Sequence, residues 1–161
     1  MNPTRKVNRL AGYDYSQPGA YFITVCTKNR KCLLSNIVGG DAYIAPYPAL
    51  TTMGQVVKRY LLSIPGIDQY VIMPNHVHMI LRISTLASGA EPSEKNLLAP
   101  TGIPSLVRSW KTLVSKELGQ SIWQRSYYDH VIRDETDYLI KAKYILDNPA
   151  KWLEDDYYSV E

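Results

Sequence analysis

The chain has 161 residues, 45% of them hydrophobic and 20% charged, a balance that suits one packed domain and excludes wholesale disorder. Its net charge of +3 is mildly basic, which is compatible with nucleic acid without arguing for it. No apolar run nears the length of a membrane span, and the start of the chain has no apolar segment behind its charges. Cys26 and Cys32 fit neither a CxxC pair nor a disulfide framework, so we expect a soluble cytoplasmic protein with reduced thiols.

Residues 1–19 are basic, then rich in tyrosine and turn formers, and read as an arm. Ala20 to Thr27 is β-branched and aromatic, a strand. Residues 32–50 hold Gly39-Gly40-Asp41 and Pro46-Tyr47-Pro48, which predict a hairpin or an irregular excursion. Thr51 or Thr52 caps a helix through Ser63, and Pro65-Gly66 closes it. Ile67 to Met73 is a second strand. Pro74-Asn75 turns the chain back into a third, His76 to Ile83.

Residues 84–102 are rich in Ser, Gly, Pro and Ala and read as a flexible loop. Pro104 suits the first turn of a helix that runs to Leu118, with Gly119 as its stop. A fourth strand falls at Tyr128 to Ile132. Asp134 then caps a last helix that Pro149 ends, followed by a short acidic tail over about 150–161. The order β-α-β-β-α-β-α predicts one α+β domain. It is an antiparallel, ferredoxin-like sheet with helices packed on one face.

Two of the three histidines, His76 and His78, share one tripeptide inside an apolar strand. Residues two apart in a strand project from the same face, so the pair is a bidentate platform for a metal ion or a structural pair. No other His or Cys arrangement completes a zinc site, which leaves Asp, Glu, Asn, Gln or water as a third ligand. Imidazole with oxygen ligands suits Mg²⁺ or Mn²⁺ acting on phosphate. On the last helix Tyr144 and Asn148 stand i and i+4, on one face. Asn148 offers a carbonyl oxygen to the metal, and a tyrosine held in line attacks a phosphodiester. Periodicity alone favours a core-facing tyrosine.

These residues resemble a known family. Val71 to Ile80, with Pro74-Asn75-His76-Val77-His78 at its centre, is similar to the histidine–hydrophobic–histidine (HUH) motif of single-strand DNA transposases and relaxases. Trp123 to Glu135 resembles the block before the catalytic helix of the REP-associated tyrosine transposases. Tyr144 to Trp152, with Asn148-Pro149, resembles that branch's nucleophile helix. The three motifs fall in order between about Tyr21 and Trp152.

The resemblance implies a single HUH-type transposase domain over residues 1–161. It implies that Tyr144 attacks single-stranded DNA, forms a 5′-phosphotyrosine and frees a 3′-OH. His76, His78 and Asn148 hold Mg²⁺ or Mn²⁺, Asn148 standing where insertion-sequence relatives carry Gln. The partner is single-stranded DNA bearing a hairpin, and the enzyme works as a monomer or homodimer. The short acidic tail departs from relatives with longer C-terminal segments. The competing reading is a non-catalytic single-stranded nucleic-acid-binding module on a ferredoxin-like sheet.

DNA binding needs phosphate contacts. Arg5, Lys6, Arg9, Lys28, Arg30 and Lys31 form a basic edge if the arm folds back. Arg108 and Lys111 lie on the polar side of the second helix. Arg125 precedes the catalytic helix, and Lys141 sits close to the face of Tyr144. Taken singly, each is more readily read as a solvated surface charge. His130 reads as structural or as a support behind the site residues, since no spacing pairs it with the other two histidines.

Overall fold

A computed structural model describes residues 18–83 and 102–160. The predicted arm, apart from its last two residues, and the predicted loop up to residue 101 lie outside that range, with Arg5, Lys6 and Arg9. Four strands make the main sheet: β1 (Gly19–Cys26), β4 (Ile67–Ile72), β5 (His76–Ile83) and β6 (Tyr128–Ile132), in the order β4-β5-β1-β6, all antiparallel. That is an antiparallel sheet of the ferredoxin-like kind the sequence predicts. The glycine- and proline-rich excursion forms a separate hairpin of β2 (Ser35–Val38) and β3 (Tyr47–Leu50).

The helices start where the capping chemistry places them. Thr51 accepts a hydrogen bond from the Gly54 N–H at the head of α1 (Thr52–Leu61), and Asp134 accepts from Asp137 at the head of α3 (Glu135–Asp147). Gly119, at φ 69°, takes the left-handed turn that ends α2 (Ile103–Leu118). No helix among the described residues is long and apolar enough to cross a membrane. Cys26 and Cys32 are both free thiols.

The α+β class and the antiparallel sheet stand, but the helices divide between the two faces. α1 and α2 cover one face, packing Val57, Leu61, Val107 and Trp110 on Tyr21, Ile23, Val77 and Met79. α3 lies on the other, where Ile145 and Trp152 meet Phe22, Val71, Met73 and Ile80. The cause is visible in β5. His76 to Leu81 are all buried, so neither face of this strand meets water, and a sheet buried on both sides needs cover on both.

α1 approaches the chain near β2 through Gly54, where a Cβ would stand 2.0 Å from the Leu34 carbonyl oxygen. Helix propensity alone favours Ala over Gly by about 1 kcal/mol. The clash is with backbone, and overpacking of this kind costs about 1–3 kcal/mol. Gly54→Ala is therefore expected to lower the urea midpoint with an unchanged slope; a raised midpoint would show that the two backbones separate freely.

Candidate active site

The register between β1 and β5 sets the site. Thr24 stands opposite His78 and Cys26 opposite His76, which puts both imidazoles on the α3 face of the sheet. Their ring centroids are 4.5 Å apart, and both side chains are at most 1% exposed. Each ring is fixed through Nδ1. That of His76 lies 2.8 Å from Asn75 Oδ1, and that of His78 lies 2.7 Å from Thr24 Oγ1. Asn75 donates its amide hydrogens to the carbonyls of Tyr157 (2.6 Å) and Arg30 (3.2 Å), so its Oδ1 is the atom facing His76. The proton of His76 therefore sits on Nδ1, and Nε2 carries the lone pair.

The Nε2 atoms of His76 and His78 and the Oδ1 of Asn148 are all buried without a hydrogen-bond partner. An unsatisfied buried polar atom costs about 1–3 kcal/mol. Burial drives the His76 imidazole down to about 3, with the Asn148 side chain opposing and the Arg30 charge adding to the fall. Burial and the neighbouring His76 hold His78 well below the usual range. Both rings are neutral at physiological pH, the form that ligates a cation.

The last helix and the tail close around this pair. Tyr144 lies edge-on to the His78 ring at 5.1 Å and remains 42% exposed, while Asn148, at the end of the helix, is 2% exposed. Burial and the Asp155 charge raise the Tyr144 phenol, and the Asn148 side chain partly offsets them. A 3-10 turn, Pro149–Glu154, follows α3, and beyond it Asp155 and Tyr157 return to the histidines. Asp155 Oδ2 is 3.8 Å from His76 Nε2, and the Tyr157 ring lies 4.6 Å from the His76 ring. Burial pushes the Tyr157 phenol up to about 12. His76, His78 and Asp155 each present a ligand atom, all within 4.8 Å of one another. Sequence reading missed Asp155 and Tyr157, because the tail has no periodicity to follow. The one signal there is a pair of Asp and a pair of Tyr residues side by side, Asp155-Asp156-Tyr157-Tyr158.

The predicted DNA contacts fall in several places. Arg30 donates to the Asp156 carbonyl at 3.1 Å and lies over the Tyr157 ring, so it braces the tail. Lys141 Nζ sits 5.6 Å from the centroid of the Phe22 ring, which itself stacks on His78. Arg108, Lys111 and Arg125 line a groove beside α2. His130 pairs with Asp137 at 2.8 Å, joining β6 to α3 away from the histidine pair.

No family model matches the chain. An uncharacterized protein of Haemophilus influenzae is 36% identical over 96% of this chain and 93% of its own length. The REP-associated tyrosine transposase of Escherichia coli K12 is 27% identical over 85% of this chain and 70% of its own. Among solved structures, a REP-associated tyrosine transposase bound to a REP hairpin aligns with a TM-score of 0.57 at 23% identity. The alignment covers 86% of this chain and 71% of that one, and the likeness is one of fold.

Hydrogen-bond partners behind a ligating histidine govern its orientation and typically change metal affinity about 10–100-fold. Thr24→Val keeps the shape beside His78 and removes the hydroxyl at its Nδ1. We expect it to weaken Mn²⁺ binding by that factor in calorimetry, with the fold intact by circular dichroism. Unchanged affinity would remove Thr24 from any metal site.

Proposed function

The chain belongs to the family of the REP-associated tyrosine transposases, and from that premise we propose that it cuts and rejoins single-stranded DNA beside a hairpin, as one catalytic domain, with Tyr144 as nucleophile. The observation that carries this reading is a buried cluster of ligand atoms: His76, His78 and Asp155 each present one within 4.8 Å of the others, and His76 Nε2, His78 Nε2 and Asn148 Oδ1 are buried without a hydrogen-bond partner. A structural histidine pair would be expected to satisfy its own ring nitrogens. Neutral imidazoles clustered with an amide and a carboxylate oxygen fit a divalent cation, for which the donor set suits Mg²⁺ or Mn²⁺. The neighbouring Asp155 carboxylate adds an oxygen and a negative charge.

The cation, when bound, would polarise the scissile phosphate and steady the leaving oxygen. The protein's own residues do the rest. Tyr144 is half-exposed beside His78, so its hydroxyl remains within reach of a DNA strand laid on the site. Phe22 and His78 pack against the Tyr144 ring and limit its rotation. Orientation of this kind supplies much of the barrier lowering in an in-line attack. A bond forms between the Tyr144 oxygen and phosphorus, and the bond from phosphorus to the 3′ oxygen breaks. The phenolic proton is balanced by the one taken up on the new 3′-OH. The 5′-phosphotyrosine is a phosphodiester like the bond it replaces, so the same chemistry in reverse rejoins the strand.

The test uses a labelled single-stranded DNA bearing a hairpin, incubated with Mn²⁺ and resolved under denaturing conditions. Wild-type protein is expected to form a covalent adduct with release of a 3′-OH fragment, and Tyr144→Phe none. Tyr157→Phe distinguishes the second phenol at the site and is expected to retain the adduct. An adduct in Tyr144→Phe would overturn the assignment. Hairpin binding without cleavage in any divalent metal would favour the non-catalytic module. Chelation with EDTA should abolish the adduct, and persistence there would remove the metal.

A further inference from the structure

A groove of about 760 Å³ runs between α2 and the segment leading into β6. Arg108, Lys111, Lys116 and Arg125 line it, and no carboxylate does among the described residues. In a chain whose net charge is only +3, four cations without a counter-charge mark a concentrated field. Lys111 is half-buried, and its ammonium donates to the Gln124 carbonyl at 2.6 Å. Burial lowers it, as expected of a cation without an anionic partner. Trp123, in the same wall, is 5% exposed, and its indole N–H has no partner. The groove thus presents positive charge and needs negative charge.

It is also joined to the histidine site. Gln124 and Tyr127 line both this groove and a cleft of about 110 Å³ that reaches Thr24, Tyr128 and Tyr157. Thr24 is the hydrogen-bond partner of His78, and Tyr157 lies over His76. Tyr128 stands opposite Thr24 in the register, on the face that carries His78, and is 45% exposed on the edge strand. An exposed ring beside a cationic groove is the pairing that holds unpaired bases and their phosphates.

We propose that the single strand adjoining the scissile phosphate leaves the histidine site past Tyr128, stacks a base there, and follows the α2 groove with its phosphates on Arg108, Lys111, Lys116 and Arg125. The path rounds the sheet edge at β6, from the α3 face to the α2 face. It rests on the single-strand reading above and adds to it where the flanking strand goes. The groove is then the determinant of single-strand binding outside the hairpin.

The test measures binding by anisotropy without added metal, so that cleavage plays no part. The probes are one DNA stem-loop, blunt, and the same stem-loop with a single-stranded extension of about ten nucleotides on its 5′ or its 3′ side. For wild type, an extension should tighten binding about tenfold. Arg108→Gln/Arg125→Gln, both at exposed positions, should remove most of that gain. It should also lower the log–log salt slope by about 1.4, at about 0.7 for each single-strand phosphate contact. Tyr128→Ala should reduce the gain at unchanged slope. An equal loss on blunt and extended probes would overturn the proposal by making the groove a stem-binding site, and no loss on either would remove it from DNA binding. If extension binding depends on the groove but no adduct forms with Mn²⁺, the groove stands and the cleavage reading falls. If adducts form at wild-type rates in the double variant, the cleavage reading stands and the groove falls.

Discussion

The candidate site depends on two imidazoles being removed from water on one face of a sheet. Burial at this depth forbids the imidazolium form, so each ring is left with one donor and one lone pair. Strand geometry makes the rings adjacent, and the partners at Nδ1 choose which nitrogen points outward from the sheet. Nothing in this requires flexible loops. The pair sits on β5, in the interior of the main sheet, where backbone hydrogen bonds on both sides hold the geometry.

What surrounds the pair is less symmetrical. On one side α3 contributes Tyr144 and Asn148, but only Ile145 is a buried apolar residue of that helix, while Leu139, Ile140 and Leu146 remain exposed. The helix is fixed instead by contacts at its edges. Tyr138 donates to Asp68 on β4, and Asp137 meets His130 on β6. On the other side the tail arrives through Trp152, which packs into the same small core, and then crosses the histidines with Asp155 and Tyr157.

Much of this was legible in the sequence because it is local. The alternation in β5 gave the shared face of His76 and His78, and Asp134 and Gly119 marked helix ends by side-chain and backbone chemistry that acts within a few residues. The face on which α3 packs was not legible, since its apolar stripe is weak and points to no partner. A cue lay in β5 instead, whose unbroken buried run demands cover on both sides. The return of the tail was likewise closed to sequence reading. Its hold on the site comes from Asn75 binding a main-chain carbonyl at Tyr157, and a carbonyl carries no residue-specific signal. The α2 groove was half legible: the cations could be named, but their convergence with Arg125 depends on how the 120–127 segment lies against the helix.

Asn75 has one more consequence. Asn29 and Arg30 both adopt left-handed backbone, at φ 57° and 54°, a conformation that costs about 1–2 kcal/mol per residue outside glycine. The Arg30 carbonyl is held by the same amide that holds the Tyr157 carbonyl and presents its oxygen to His76. One buried side chain thus joins a strained turn, the returning tail and the orientation of an imidazole. Thermodynamic reciprocity then applies. Whatever factor the docked tail contributes to the affinity of a cation for His76, the cation returns to the docking of the tail, and relaxation of the turn weakens both together.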